Sequence, residues 1–256
     1  MPLSYTTDLE LLGVNHQEHG KYHAVTLTDT LAAGITAGNG GTALDKKDPN
    51  EDALGIVTYA DGSKLYMIAD AHFGASMGVT AIQRYPAILA EAMVYVGRRP
   101  EATEAVLNRT VLELGREAYQ TNCGASSPHT SATTFLAVLE HRGHQGQSHY
   151  VSVADSFLYI LNQEGAKHIN HPNRFPGTMF IGQPNQPLRD EIIKTGSYEA
   201  SPGSVILLAS DGVDDFSISD VRWAFLVGGV RQGLNELLDV GARECKDNLA
   251  AIALQR

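Results

Sequence analysis

Five aspartates each stand at the end of an apolar run: Asp52 before ALGIVTY, Asp70 after KLYMIA, Asp155 after SHYVSVA, Asp211 after SVILLAS and Asp247 before NLAAIAL. Runs of this length, rich in Val, Ile, Leu and Tyr, read as buried strands, so the carboxylates collect along strand ends. Like charges a few ångströms apart repel and raise one another's pKa unless a cation neutralises them. Oxygen donors without thiolates select Mg²⁺ or Mn²⁺ over softer metals.

One hairpin exposes the geometry to inspection. Strands 53–59 and 64–70 are joined through Ala60-Asp61-Gly62-Ser63, and Asp-Gly is a strong hairpin signal. A two-residue type I′ turn places Asp52 opposite Ala71, with Asp52 and Asp70 on different faces. A three-residue loop with Gly62 left-handed places Asp52 opposite Asp70 on one face, and only that register builds a shared cation site. It puts Leu54, Ile56, Tyr66 and Ile68 on one side and Ala53, Val57, Leu65 and Met67 on the other. Both sets are apolar, which predicts a sheet covered on both sides.

The segments NEDA (50–53), ADAHFG (69–74), TSATTFLAV (130–138), VADSFLYIL (153–161), LLASDGVDD (207–215) and KDNLAAIAL (246–254) resemble, in order, the successive motifs of the metal-dependent protein phosphatase 2C (PPM) family. The resemblance runs from about Gly34 to the C-terminus and looks bacterial in type. It implies an α+β fold, a four-layer α/β/β/α sandwich of two mainly antiparallel sheets flanked by helices. The implied activity is metal-dependent hydrolysis of phosphoserine and phosphothreonine by a hydroxide bridging two Mn²⁺ or Mg²⁺ ions. By position, Asp52, Asp70, Asp211 and Asp247 match the family's core metal ligands, and the Ala71 carbonyl falls where a glycine carbonyl binds metal. Asp155 matches the aspartate that joins Asp211 on a third, weaker ion. Glu51 and Asn248 stand beside these ligands as supporting residues. His72 occupies the place of a histidine proposed as general acid, although a histidine there can also simply pack.

Departures from the family pattern bear on strength of activity. Ala71, Ala132 and Ala154 replace usual glycines, and a methyl is tolerated only where φ is negative and nothing presses on that Cα. Lys47 stands where an arginine usually grips phosphate, and it offers a point charge without the planar fork. The stretch 163–190 is a shortened, irregular flap-like loop with several prolines, in which Arg174 is the candidate to supplement Lys47. The alternative function is a catalytically weak or inactive pseudophosphatase that binds a phosphoprotein. A calcium-binding role lacks an EF-hand loop.

The elements that must position these residues follow from periodicity. Apolar residues Ile82, Tyr85, Leu89, Ala92 and Val96 recur at helical spacing over 76–96, where Pro86 is expected to kink or restart the helix. Val106, Thr110, Val111, Leu114 and Ala118 mark a second helix over 102–119, and two further helices fall over 219–227 and 230–244. Residues 1–20 show no clear period and read as an irregular lead-in. His141, His144 and His149 surround HRGHQGQ, which reads as a solvated hairpin tip; Cys123 and His129 lack an orienting partner for nucleophilic chemistry.

Composition sets the outer limits. With 43% hydrophobic residues over 256 positions the chain can bury a large core as one domain. A net charge of −10 argues against nucleic-acid or anionic-membrane surfaces. Two cysteines provide no disulfide framework. Without a signal-like segment or an 18-residue apolar span, the expectation is a cytoplasmic monomer acting on a phosphorylated protein.

Overall fold

The computed structural model describes residues 3–40, 46–96, 100–123, 130–142, 147–171 and 180–256. The chain enters through β1 (Tyr5–Leu12), β2 (Tyr22–Thr28) and β3 (Leu31–Thr36), then forms the hairpin of β4 (Ala53–Tyr59) and β5 (Lys64–Ala69) and the short β6 (Ala71–His72). Helices α1 (Ser76–Val96) and α2 (Pro100–Asn122) follow, then β7 (Ala132–Thr133), β8 (Phe135–Glu140), β9 (Gln147–Val153), β10 (Phe157–Leu161) and β11 (Ala166–His168). The remainder is β12 (Lys194–Glu199), β13 (Val205–Ala209), α3 (Ile218–Glu244) and β14 (Leu249–Gln255).

Two six-stranded sheets result, ordered β1-β4-β5-β8-β9-β12 and β11-β10-β13-β14-β3-β2. Every paired neighbour is antiparallel. Three apolar layers hold the four structural layers together. Ala53, Val57, Leu65 and Met67 face Tyr85, Leu89, Leu107 and Leu114 of α1 and α2. Leu54, Ile56, Tyr66 and Ile68 meet Ile35, Leu158, Ile206 and Ile252 between the sheets. Leu207 and Ala251 on the outer face of the second sheet pack against Phe225, Leu234 and Leu238 of α3. The α/β/β/α sandwich is therefore built by strands apolar on both faces, as the β4–β5 hairpin foretold.

Several local expectations change. The expected irregular lead-in over 1–20 instead contains β1, an edge strand paired with β4. Its register shifts between Thr7 and Leu9, so a bulge breaks the period-2 pattern that would have marked it. Helix α1 runs unbroken across Pro86. One missing backbone donor costs less there than losing the burial of Ile82, Tyr85 and Leu89 against the sheet. The two expected C-terminal helices meet at a break where Gly229 takes φ +68. His149 is buried in β9 against His141, not at a solvated tip; His144 and His129 lie outside the described residues. Within the expected flap-like loop, β11 is a strand, a single 3₁₀ turn covers Asp190–Ile192, and residues 172–179, Arg174 among them, lie outside the described residues. Among the described residues no helix is long and apolar enough to cross a membrane.

Candidate functional site

The hairpin register decides whether Asp52 and Asp70 can share an ion. Tyr59 N–H donates to the Ser63 carbonyl at 2.9 Å and Gly62 adopts φ +85, so the loop has three residues. Ala53 then pairs with Ala69, which sets Asp52 opposite Asp70 just beyond the strand ends. Across the second sheet Phe157 pairs with Ala209, and two residues further out the same register brings Asp155 beside Asp211. Asp211 opens a 3₁₀ turn after Ser210, whose N–H donates to Ala250 at 3.0 Å; Asp247 lies two residues before β14. All five aspartates thus gather at one end of the sandwich.

Two of the five aspartates are buried and three are half-buried. Asp52 and Asp70 are 1% exposed, whereas the side chain of Asp247 keeps 29% exposure at the mouth. Ser210 Oγ donates to Asp52 Oδ2 at 2.7 Å, and Thr134 Oγ1 accepts from Asp70 N–H at 3.2 Å. Among the described residues, the buried oxygens Glu51 Oε2, Asp52 Oδ1, Asp70 Oδ2 and Asp211 Oδ1 find no hydrogen-bond donor. Buried carboxylate oxygens without donors are costly, and a cation relieves that cost. Burial, reinforced by Asp70, lifts the Asp52 carboxyl well above its ordinary range. Burial and then Asp70, Asp247 and Asp155 lift Asp211 in the same way. Burial would raise Asp70 too, but the nearby Lys46 ammonium outweighs it and holds Asp70 down at about 2.

Lys46 is the residue that the motif pattern did not reveal. Its Nζ donates to Asp70 Oδ1 at 2.8 Å and to the Ala71 carbonyl at 3.0 Å, and it lies 3.4 Å from Asp247 Oδ1. Desolvation alone would lower its pKa; Asp70, Asp52 and Asp247 reverse that and hold it well above the ordinary lysine range. With the ammonium so placed, no three His, Cys, Asp or Glu side chains among the described residues converge as a ready-made metal cage. The available signal was charge accounting. Buried carboxylates require cations, and Lys46-Lys47 is the cationic pair nearest Asp52 in the chain.

The supporting residues pin the backbone around this cluster. Glu51 Oε1 accepts from the N–H groups of Lys47 (2.6 Å), Asp48 (2.9 Å) and Gly74 (2.7 Å). Asn248 Oδ1 accepts from Glu51 N–H at 2.9 Å and its Nδ2 donates to the Pro49 carbonyl at 2.7 Å, which ties the start of β14 to the segment before β4. Lys47 is exposed at the rim. His72 packs on Phe180 with centroids 4.8 Å apart, and its buried Nε2 has no hydrogen-bond partner among the described residues. Phe180 is brought there by Ile181, which exchanges backbone hydrogen bonds of 2.9 Å with Thr133. Of the three alanines in usual glycine positions, Ala71 and Ala132 pair within extended strands, whereas Ala154 takes φ +69 next to Asp155. That left-handed backbone is where a methyl group is penalised.

The family model for protein phosphatase 2C matches residues 39–250. No curated protein sequence matches the chain. A bacterial serine phosphatase superposes with TM-score 0.69 at 16% identity, covering 92% of this chain and 97% of that chain. The serine/threonine phosphatase of S. agalactiae gives 0.67 at 16% identity, with 92% and 100% covered. The PPM Ser-Thr phosphatase MsPP from Mycobacterium smegmatis, solved in complex with cacodylate, gives 0.62 at 18% identity, with 93% and 99% covered. At such identities the superpositions show a common fold.

Proposed function

The chain belongs to the protein phosphatase 2C family, and from that premise we propose that it is a Mn²⁺- or Mg²⁺-dependent phosphoprotein phosphatase hydrolysing phosphoserine and phosphothreonine. The observation that carries this reading is the convergence of Asp52, Asp70, Asp211 and Asp247 from separate strand ends, three of them with buried oxygens that lack donors. The donor set is all oxygen and fits hard divalent ions: the four carboxylates and the Ala71 carbonyl would hold two, and Asp155 with Asp211 a third. When bound, the ions supply positive charge and an activated water for attack on phosphorus.

The chain's own residues do the rest. Ser210 orients Asp52, and Glu51 clamps the segment that carries Lys47 to the Gly74 backbone. Lys47 can take a non-bridging phosphate oxygen at the rim. His72, with a free Nε2 beside Phe180, can pass a proton to the departing alkoxide. The expected substrate is a cytoplasmic phosphoprotein.

Hydrolysis of an aryl phosphate and of a phosphopeptide, before and after EDTA treatment and with Mn²⁺ restored, tests this. Turnover should vanish with chelation and return with Mn²⁺; undiminished turnover after chelation and desalting would overturn the reading. The second reading, a phosphoprotein-binding module, draws on Lys46 occupying the carboxylate cluster and on Lys47 in place of arginine. Phosphopeptide binding without turnover in any divalent metal would put that reading first.

A further inference from the structure

We infer that Lys46 is a tethered cation that holds the carboxylate cluster together without metal and must be displaced before metal loads. The inference rests on the metal-dependent reading above and adds a competitor to it. The ammonium donates to Asp70 Oδ1 and the Ala71 carbonyl and pairs with Asp247 Oδ1. Each belongs to a residue that the family resemblance assigns to the metals. Two of the ammonium's three N–H donors are taken by Asp70 and the Ala71 carbonyl, and Asp247 adds a longer ion pair. The side chain is 9% exposed, so the contact is made in a poorly hydrated space. There a divalent ion and an ammonium sharing acceptors repel strongly, and the two states exclude one another.

The local anatomy allows the exchange. The backbone just after Lys46 is fixed, since Glu51 Oε1 binds the Lys47 and Asp48 N–H groups and Asp48 Oδ2 accepts from Ala75 N–H at 3.1 Å. Lys46 itself is attached by a flexible four-carbon stem, so its head can leave while its anchor stays. In place, it offsets part of the repulsion among Asp52, Asp70 and Asp247. Withdrawn, it frees Asp70 and the Ala71 carbonyl to turn toward an ion. Lys46 therefore sets a threshold for metal, below which the site is closed by its own side chain.

Mn²⁺ binding to wild type and Lys46→Met, measured by EPR of free Mn²⁺, tests the competition. Removing a competitor held by charge-assisted hydrogen bonds should tighten Mn²⁺ binding about 10- to 100-fold. The metal-free variant should also melt lower than wild type, because its carboxylates lose their counter-ion. A second measurement needs no variant: amine-reactive labelling read by mass spectrometry should find Lys46 protected in chelator and modified once Mn²⁺ saturates. Equal or weaker Mn²⁺ affinity in Lys46→Met overturns the inference and leaves the phosphatase reading standing, as does Lys46 protection that Mn²⁺ does not change. If neither protein binds Mn²⁺, both the inference and the metal-dependent reading fall.

Discussion

The two ends of the sandwich treat buried carboxylates in opposite ways. At the end away from the site, Glu140 closes β8 with Arg256 Nη2 2.7 Å from Oε1, an ion pair without good hydrogen-bond alignment, and with the Tyr66 hydroxyl donating to Oε2 at 3.1 Å. Lys64 lies across the strand pair from it. Burial pushes Glu140 above its ordinary range, and Arg256 and Tyr66 pull back against that push. At the site end, Asp52, Asp70, Asp211 and Asp247 all lie in the field of the buried Lys46 ammonium. Among the described residues, cations match or outnumber the carboxylate at the first end, and carboxylates outnumber cations at the second, the end proposed to bind metal. Removing a charge should therefore have opposite consequences at the two ends.

The largest expected effect is at the site. Asp211→Asn should lower metal-dependent turnover on the order of 10³-fold, since a lost ion contact forfeits several kcal/mol of transition-state stabilisation. In chelator the same variant should melt no lower than wild type, because it removes a charge that burial and Asp70 already oppose. A clear drop in metal-free melting temperature would show that Asp211 serves the fold. At the other end, Glu140→Gln should cost about 2 kcal/mol of stability by stranding Arg256, with turnover per folded molecule unchanged. A neutral melting temperature there would erase the contrast.

Smaller effects sharpen the comparison at the rim. Lys47→Ala should reduce kcat/KM about 10-fold through KM, the scale of one charge-assisted contact, while Lys47→Arg should preserve or improve it. A silent Lys47→Ala on a phosphopeptide would move phosphate recognition elsewhere, with Arg174 next to be tested. Smallest is Ala154→Gly, which relieves the left-handed alanine beside Asp155 and should raise stability by about 0.5–1 kcal/mol in urea denaturation. No gain would mean that the backbone at Ala154 carries no strain.

Much of this architecture was legible locally. The apolar faces of β4 and β5, the helical stripes of α1 and α2 and the break before Val230 each reside in a short window whose period or turn chemistry reports it. β1 was not legible, because its bulge disrupts alternation and it is half of an edge pair that only β4 completes. Pro86 was misleading for a related reason: helix propensity is local, but the packing of Tyr85 and Leu89 that sustains α1 is not.

By itself the sequence determined that five aspartates end strands, that the β4–β5 strands are apolar on both faces, and that two hairpin registers compete. The tertiary structure decided between the registers, because only the three-residue loop with Gly62 left-handed lets both faces of the hairpin be covered while Asp52 meets Asp70. It alone also brought Lys46 to Asp70, Ala71 and Asp247. Periodicity and turn residues act over a few positions, whereas the partner of a buried charge is chosen by whichever opposite charge the fold brings within a few ångströms of it.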